Sequence, residues 1–474
     1  MEETKKLKYP KKMLLELYTT ALLVLSSFGA SLPTAPPLKC VGRCDLNIAP
    51  LPLIDGKNPH EYMMWSMIES FKELDAVYGE NSKLSAPLEV PVVDVTGGVV
   101  ACENGFAAGY PCKNIDLLSF LSHRSMGATT GNDIWGWTDP LTNKEYAIVC
   151  QTDGTAFVDV TDPLNPVALG RLKTHTTSSS WRDAKVYKDH AYIVSEASNH
   201  GVQVFDLTQL RNVTTPGPNN KFSESGYLGA TGRCHNIAIN EETGFGYCVG
   251  SVSTCNAGLH ILDLSDLKNP KSVGCFGDDG YVHDSQVVIY RGPDSRYKGR
   301  EIAFNYNTNH LLILDITDKS HPVIISRTSY AGYGYTHQGW LLEDHTYILM
   351  DDEQDEMRDT ANSGGHTVTY IFNVENLEQP YLTSKHLSPV TSIDHNQYVL
   401  GDYSYQSNYA SGLRVVNIKN IKSNVTEEAG FFDVHPEDDK VSFSGTWSVY
   451  PYFPSGNIVV NSIERGLFVV KTKF

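Results

Sequence analysis

An all-β fold is what this sequence predicts: a seven-bladed β-propeller with an N-terminal, partly helical arm or cap. Three observations carry it. An apolar strand closing on Asp or Asn recurs along the chain, and a second series of short motifs recurs in step with it. The 474 residues also hold 26 Tyr, 38 Gly and 23 Pro, a supply of strand formers and tight turns.

The chain opens on what reads as a signal peptide over residues 1–30. Lys5, Lys6, Lys8, Lys11 and Lys12 precede a mostly apolar stretch from Met13 to Leu25, and small residues follow. A secreted or extracellular location follows from this reading, with cleavage between Ala30 and Ala35. No later stretch approaches the length of apolar residues a bilayer requires. Residues 31–111 form the arm. Met63, Met64, Met67, Ile68, Phe71, Leu74 and Val77 recur at helical spacing, so a helix near 60–78 should lay one face on the blades.

Residues 112–474 hold the propeller. The first series contains Gly154–Val160, Gly201–Leu207, Gly258–Leu264, His310–Ile316, Thr367–Val374, Gly412–Ile418 and Gly466–Lys471. From Asp159 to Asn417 its intervals are 47, 57, 52, 58 and 44 residues, the amount of chain a four-stranded blade consumes. The second series marks the start of each innermost strand, at Asp133, Asp183, His235, His283, His337, His395 and Thr446. Its intervals of 50, 52, 48, 54, 58 and 51 follow the first, so seven starts imply seven blades. The chain stops after the third strand of the last blade. The segment 114–121 has the composition to supply the missing outer strand and so remove an exposed edge.

Charge narrows the partners. With 38 basic and 55 acidic side chains the formal charge is −17, which argues against nucleic acid and suits cations or basic surfaces. Nine cysteines in an exported chain suggest disulfides. Cys40 with Cys44, Cys102 with Cys112, and Cys248 with Cys255 are plausible neighbours, although spacing does not fix the pairing. The odd cysteine leaves a free thiol or a link to a second copy, hence a homo-oligomer as one candidate assembly. Asn212 and Asn424 begin N-glycosylation sequons.

The strings Asn132–Pro140, Ser178–Asp183, Val194–Ala197, Cys234–Asn236 and Gln406–Arg414 together resemble the choice-of-anchor B family, whose members contain LVIVD-type repeats. The likeness spans about residues 105–474. It implies an exported propeller and supplies no reaction. Bacterial members carry C-terminal surface anchors, whereas this sequence ends on a blade strand.

Strand starts of a propeller meet at one mouth of its channel, so Asp133, Asp183, His235, His283, His337 and His395 should converge. Imidazoles with one or two carboxylates suit Zn, Cu, Fe or Mn better than calcium. Polar side chains at such positions also pin neighbouring blades by hydrogen bonds, which is the plainer role for any one of them. The run Asp351, Asp352, Glu353, Gln354, Asp355, Glu356 reads as a solvated acidic loop of blade 5. Asp351, Asp352, Glu353 and Asp355 are the candidates there for calcium or another ligand. Glu196 and Asp352 would make a glycosidase pair only if folding joined them. No phosphate loop, dinucleotide fingerprint or His-Glu-x-x-His motif is present. Two functions remain. One is an extracellular module binding protein or glycan, with a metal or small ligand in its channel; the alternative is a metal-dependent hydrolase or oxidoreductase using the histidines.

Overall fold

A computed structural model describes residues 40–45, 48–49, 51, 53–78 and 92–474. The signal-peptide reading therefore lies outside the described residues, as does part of the arm.

Seven sheets form the seven blades, antiparallel except for the edge strand Lys221–Phe222, which pairs parallel with Val167–Lys173 in blade 1. Their innermost strands are Gly131–Thr138, Arg182–Tyr187, Asn236–Asn240, Asp284–Ile289, Thr336–Leu341, Gln397–Leu400 and Thr446–Tyr450. Each neighbours the innermost strand of the next blade, and the seventh neighbours the first, so the ring closes. The outer strand of blade 7 is Ile115–Ser122, which pairs antiparallel with Gly466–Thr472. Phe120 and Phe468 pack as tilted rings across that junction with centroids 4.5 Å apart, both fully buried.

The repeat has a physical cause at each end of the third strand. Asp159, Asp206, Asp263 and Asp315, and likewise Asn373 and Asn417, each accept a hydrogen bond from the amide two residues on, at 2.8–3.1 Å. This is the side-chain turn that Asp and Asn favour. At the other end, a Cβ on Gly154, Gly201, Gly258, Gly412 or Gly466 would overlap a carbonyl oxygen of the blade's outer strand or, in blade 7, of Leu121. Only glycine permits that approach.

The arm is anchored at several points. Cys40 and Cys44 bridge to Ile324 and Arg327 on the outer strand of blade 4. Tyr110–Lys113 extends blade 6 by pairing with Glu427–Phe432. Helix α1, Pro59–Tyr78, carries Met63 and Met67 into a buried cluster with Trp181, Tyr335, Tyr409 and Trp447. Met64, Phe71 and Leu74 pack against the same cluster, whereas Ile68 is 41% exposed and does not belong to the buried face.

Four disulfides are present: Cys40–Cys44, Cys102–Cys112, Cys234–Cys248 and Cys255–Cys275. The neighbour reading of Cys248 with Cys255 is thus corrected. Cys248 faces Cys234 beside the first strand of blade 3, and Cys255 reaches back to the outer strand of the same blade. Cys150 is the free cysteine and is fully buried in the second strand of blade 1, so it offers no sulfur for linking two copies. Asn212 and Asn424 both lie exposed at the surface.

Candidate metal centre

The inner strands bring four histidines into one stack. Ring centroids of His235 and His283 are 4.2 Å apart, of His283 and His337 4.1 Å, and of His337 and His395 4.5 Å. Each lies within two residues of the start of an innermost strand, so one step around the ring moves the chain from one imidazole to the next.

Each ring has one nitrogen committed. Nδ1 of His283 donates to the carbonyl of His337 at 2.9 Å, and Nδ1 of His395 donates to the carbonyl of Trp447. Nδ1 of His337 meets Oδ1 of Asp351 at 2.8 Å, and Nδ1 of His235 meets Oε1 of Glu196 at 2.7 Å. Holding Nδ1 in this way fixes the tautomer and leaves Nε2 as the available donor atom. The carboxyl of Glu353 lies between two of them, with Oε2 3.8 Å from His337 Nε2 and Oε1 3.6 Å from His395 Nε2. The Tyr409 hydroxyl donates to Oε1 at 2.7 Å, while Oε2 is buried with no hydrogen-bond partner.

His283, His337 and Glu353 each offer one ligand atom, and those three atoms lie within 4.8 Å of one another. Two imidazoles and one carboxylate, all buried, are a donor set for a transition-metal ion rather than for calcium, which takes six to eight oxygens. The electrostatics agree. Burial, and then the neighbouring imidazoles, hold His283 and His337 well below the usual histidine range, so both are neutral as metal ligation requires. Burial pushes Glu353 up to about 8 against the hydrogen bond from Tyr409. A cation beside Oε2 would supply the partner that atom lacks and stabilise the ionised form.

Of the remaining sequence candidates, His235 and His395 flank the ligand group in the stack, and the two aspartates fall elsewhere. Asp133 and Asp183 bracket Lys185, whose Nζ lies 3.3 Å from Asp133 Oδ2 and 2.5 Å from Asp183 Oδ1. Burial opposes the charge on His235, but its bond to Glu196 outweighs this and raises it above the ordinary value. His235 is therefore the imidazole of the four best suited to carry a proton.

The acidic run is not a solvated loop. Asp351 and Asp352 end the second strand of blade 5, Tyr347–Asp352, and Asp355 opens the short helix Asp355–Arg358; every one of the four candidate carboxylates is buried. Asp352 accepts from the hydroxyl of Tyr330 at 2.6 Å and the amide of Gly334 at 2.8 Å, and Asp355 accepts from Tyr370 at 2.6 Å. Of the four, Glu353 alone belongs to the metal-ligand group. Glu196 bonds to His235 and Asp352 to Tyr330.

Sequence reasoning missed the pairing of Glu353 with the histidines, because Glu353 follows a second strand rather than starting an inner one. The expected helix near 60–78 is present, but which face of the ring it covers was not specified. Met63 and Met67 of α1 cover this mouth, and Nδ1 of His60 meets the Tyr335 hydroxyl at 2.9 Å. The helical spacing of the methionines was the available signal.

Fold and site together define a seven-bladed β-propeller with a candidate His/His/Glu metal centre in its channel. No family model matches the sequence, and no curated protein matches it. Among solved structures the chain is similar to a hydrazine synthase from Kuenenia stuttgartiensis, at TM-score 0.51 and 13% identity, over 73% of this chain and 96% of that one. It is also similar to the Cps50 (Swd1) β-propeller domain of Myceliophteria thermophila, at TM-score 0.43 and 11% identity, over 69% of this chain and 93% of that one. At such identities the likeness concerns the fold alone.

Proposed function

We propose that this protein is a metal-dependent enzyme, a hydrolase or oxidoreductase, whose ion is held by His283, His337 and Glu353. The observation that carries the reading is the convergence of three buried ligand atoms within 4.8 Å, one of them a carboxylate oxygen without a hydrogen-bond partner. An ion bound there would supply Lewis-acid or redox chemistry. The chain's own residues do the rest. Asp351 and the His337 carbonyl orient the two imidazoles, Tyr409 fixes one oxygen of Glu353, and α1 keeps bulk water from this mouth. His235, paired with Glu196, is placed to hold a proton beside them. A binding module needs no such donor set, so the geometry favours the enzyme over the module.

Export, an extracellular site of action and membership of the choice-of-anchor B family belong to the same proposal. Four disulfides support an oxidising compartment. Among the described residues no helix is long and apolar enough to cross a membrane.

The test is elemental analysis of the purified protein and of His283→Ala and His337→Ala. The proposal expects one equivalent of a transition metal in the parent and a large loss in each variant, with circular dichroism unchanged. A folded, metal-free parent that takes up no Zn, Cu, Fe or Mn on titration would overturn it.

A further inference from the structure

The opposite end of the channel holds a second chamber that the metal reading does not use. Its volume is about 720 Å3, within the size range of small-molecule sites. In blades 1, 5 and 7 the lining residues stand four to six positions beyond the strand starts, whereas blades 3, 4 and 6 also contribute Ile237, Asp284 and Tyr398 from the first two residues of theirs. A strand advances roughly 3.3 Å per residue, so the chamber opens on the face away from α1.

Two features of the lining point to one kind of ligand. The walls are aromatic: Trp135, Trp340, Tyr398, Tyr450 and Tyr452 all contribute. Trp135, Trp340 and Tyr452 each set an edge against or lean on Tyr398, at centroid distances of 5.6, 4.9 and 6.1 Å, which fixes their orientations. The charge is mainly acidic. Asp284, Asp189 and the exposed Glu241 and Glu343 line or border the chamber, against Lys185 and Lys188.

The protein already displays the contact such a chamber makes. The ammonium of Lys185 sits 4.6 Å from the centroid of Trp135 while it bonds to Asp133 and Asp183. Ring faces attract cations through their quadrupole, most strongly where water is excluded. Lys185 also acts on Asp284, so the acidic groups it leaves for a ligand are the rim carboxylates Glu241 and Glu343.

We infer that this chamber binds an organic ammonium ion, a positively charged nitrogen joined to an apolar body. The nitrogen would face the acidic groups and the apolar body would lie against the tryptophan and tyrosine rings. The inference is independent of the metal centre and requires no ion at the histidines.

Calorimetric titration of the full protein with 2-phenylethylammonium and benzyltrimethylammonium tests it, with neutral 2-phenylethanol and the disaccharide cellobiose as comparators. Saturable binding of at least one ammonium is expected, roughly tenfold or more tighter than the alcohol, and weakened by salt. Trp340→Leu should weaken it about tenfold. The surface double variant Glu241→Gln/Glu343→Gln, which leaves the walls intact, should weaken it by about threefold and reduce the salt effect. Metal content should be the same in all of these proteins, so failure here is separable from failure at the histidines. Equal affinity for the alcohol, binding of cellobiose in place of the ammonium ions, or no ammonium binding by the folded parent would overturn the inference.

Discussion

Replacing Asp351 by Asn tests whether the metal centre depends on how its imidazoles are held. Asp351 does not belong to the ligand group; it is a positioning residue. Its Oδ1 meets His337 Nδ1 at 2.8 Å and the Gln338 amide at 2.9 Å, and its Oδ2 accepts from the Gln397 side-chain amide at 3.0 Å. Asparagine has nearly the same shape but keeps one acceptor. If its oxygen stays with His337, its NH2 faces the Gln397 NH2, donor against donor. If it flips, His337 loses the acceptor that fixes its tautomer. Either way Nε2 of His337 is less well presented. Loss of such a supporting contact typically lowers metal affinity by about 10–100-fold, roughly 1.4–2.7 kcal/mol. Zinc affinity measured by competition with a chromophoric chelator gives the number, and near-UV circular dichroism confirms that the variant is folded. A folded variant whose affinity stays within about threefold of the parent would refute the orienting role.

Two further predictions concern the ring. Phe120→Ala removes a fully buried ring that packs on Phe468 at the blade 7 junction, and should cost about 3–5 kcal/mol in urea unfolding; a loss below about 1 kcal/mol would mean that the closing strand contributes little there. His123, buried beside the same junction, donates from Nε2 to the Ser462 carbonyl at 2.7 Å and accepts at Nδ1 from Gln151 at 3.2 Å, so a second proton would break the latter bond. Burial lowers its pKa from 6.5 to about 4. The unfolded chain therefore binds the proton first. The stability from neutral His123 is present above pH 6.5 and is lost progressively as pH falls towards 4, by up to about 3 kcal/mol. His123→Gln should flatten stability over that window by up to one proton, and an unchanged slope would contradict the assignment.

The repeat was legible because the blades obey the same local constraints. In the first six, Asp or Asn closes the third strand so that its side chain can take the turn amide, and glycine must open it wherever the outer strand's carbonyl leaves no room for a Cβ. These are contacts between residues close in the chain or within one sheet, and they recur whenever a sheet is built the same way. The convergence of the histidines follows by one step, since equivalent positions in a ring of blades share one end of the channel.

Glu353 has no repeat to announce it. It belongs to the end of a second strand, and only the turn into the short helix Asp355–Arg358 carries its carboxyl among the imidazoles. The acidic run misled for a related reason. Six polar residues in succession usually face water, but here hydroxyls of Tyr330, Tyr370 and Tyr409, each from elsewhere in blades 5 and 6, satisfy carboxyl oxygens and allow them to be buried. The disulfides of blade 3 likewise depend on which cysteines face each other across the sheet, which spacing does not encode.

What the sequence determined by itself is the number of sheets and the end of the channel at which the histidines gather, because both are set by periodic local chemistry. Which carboxylate joins them, which aspartates are spent on Lys185, and that a methionine-bearing helix covers this mouth while an aromatic chamber lies at the other were decided only by tertiary structure. Those outcomes depend on long-range packing of side chains from different blades, and no interval along the chain records it.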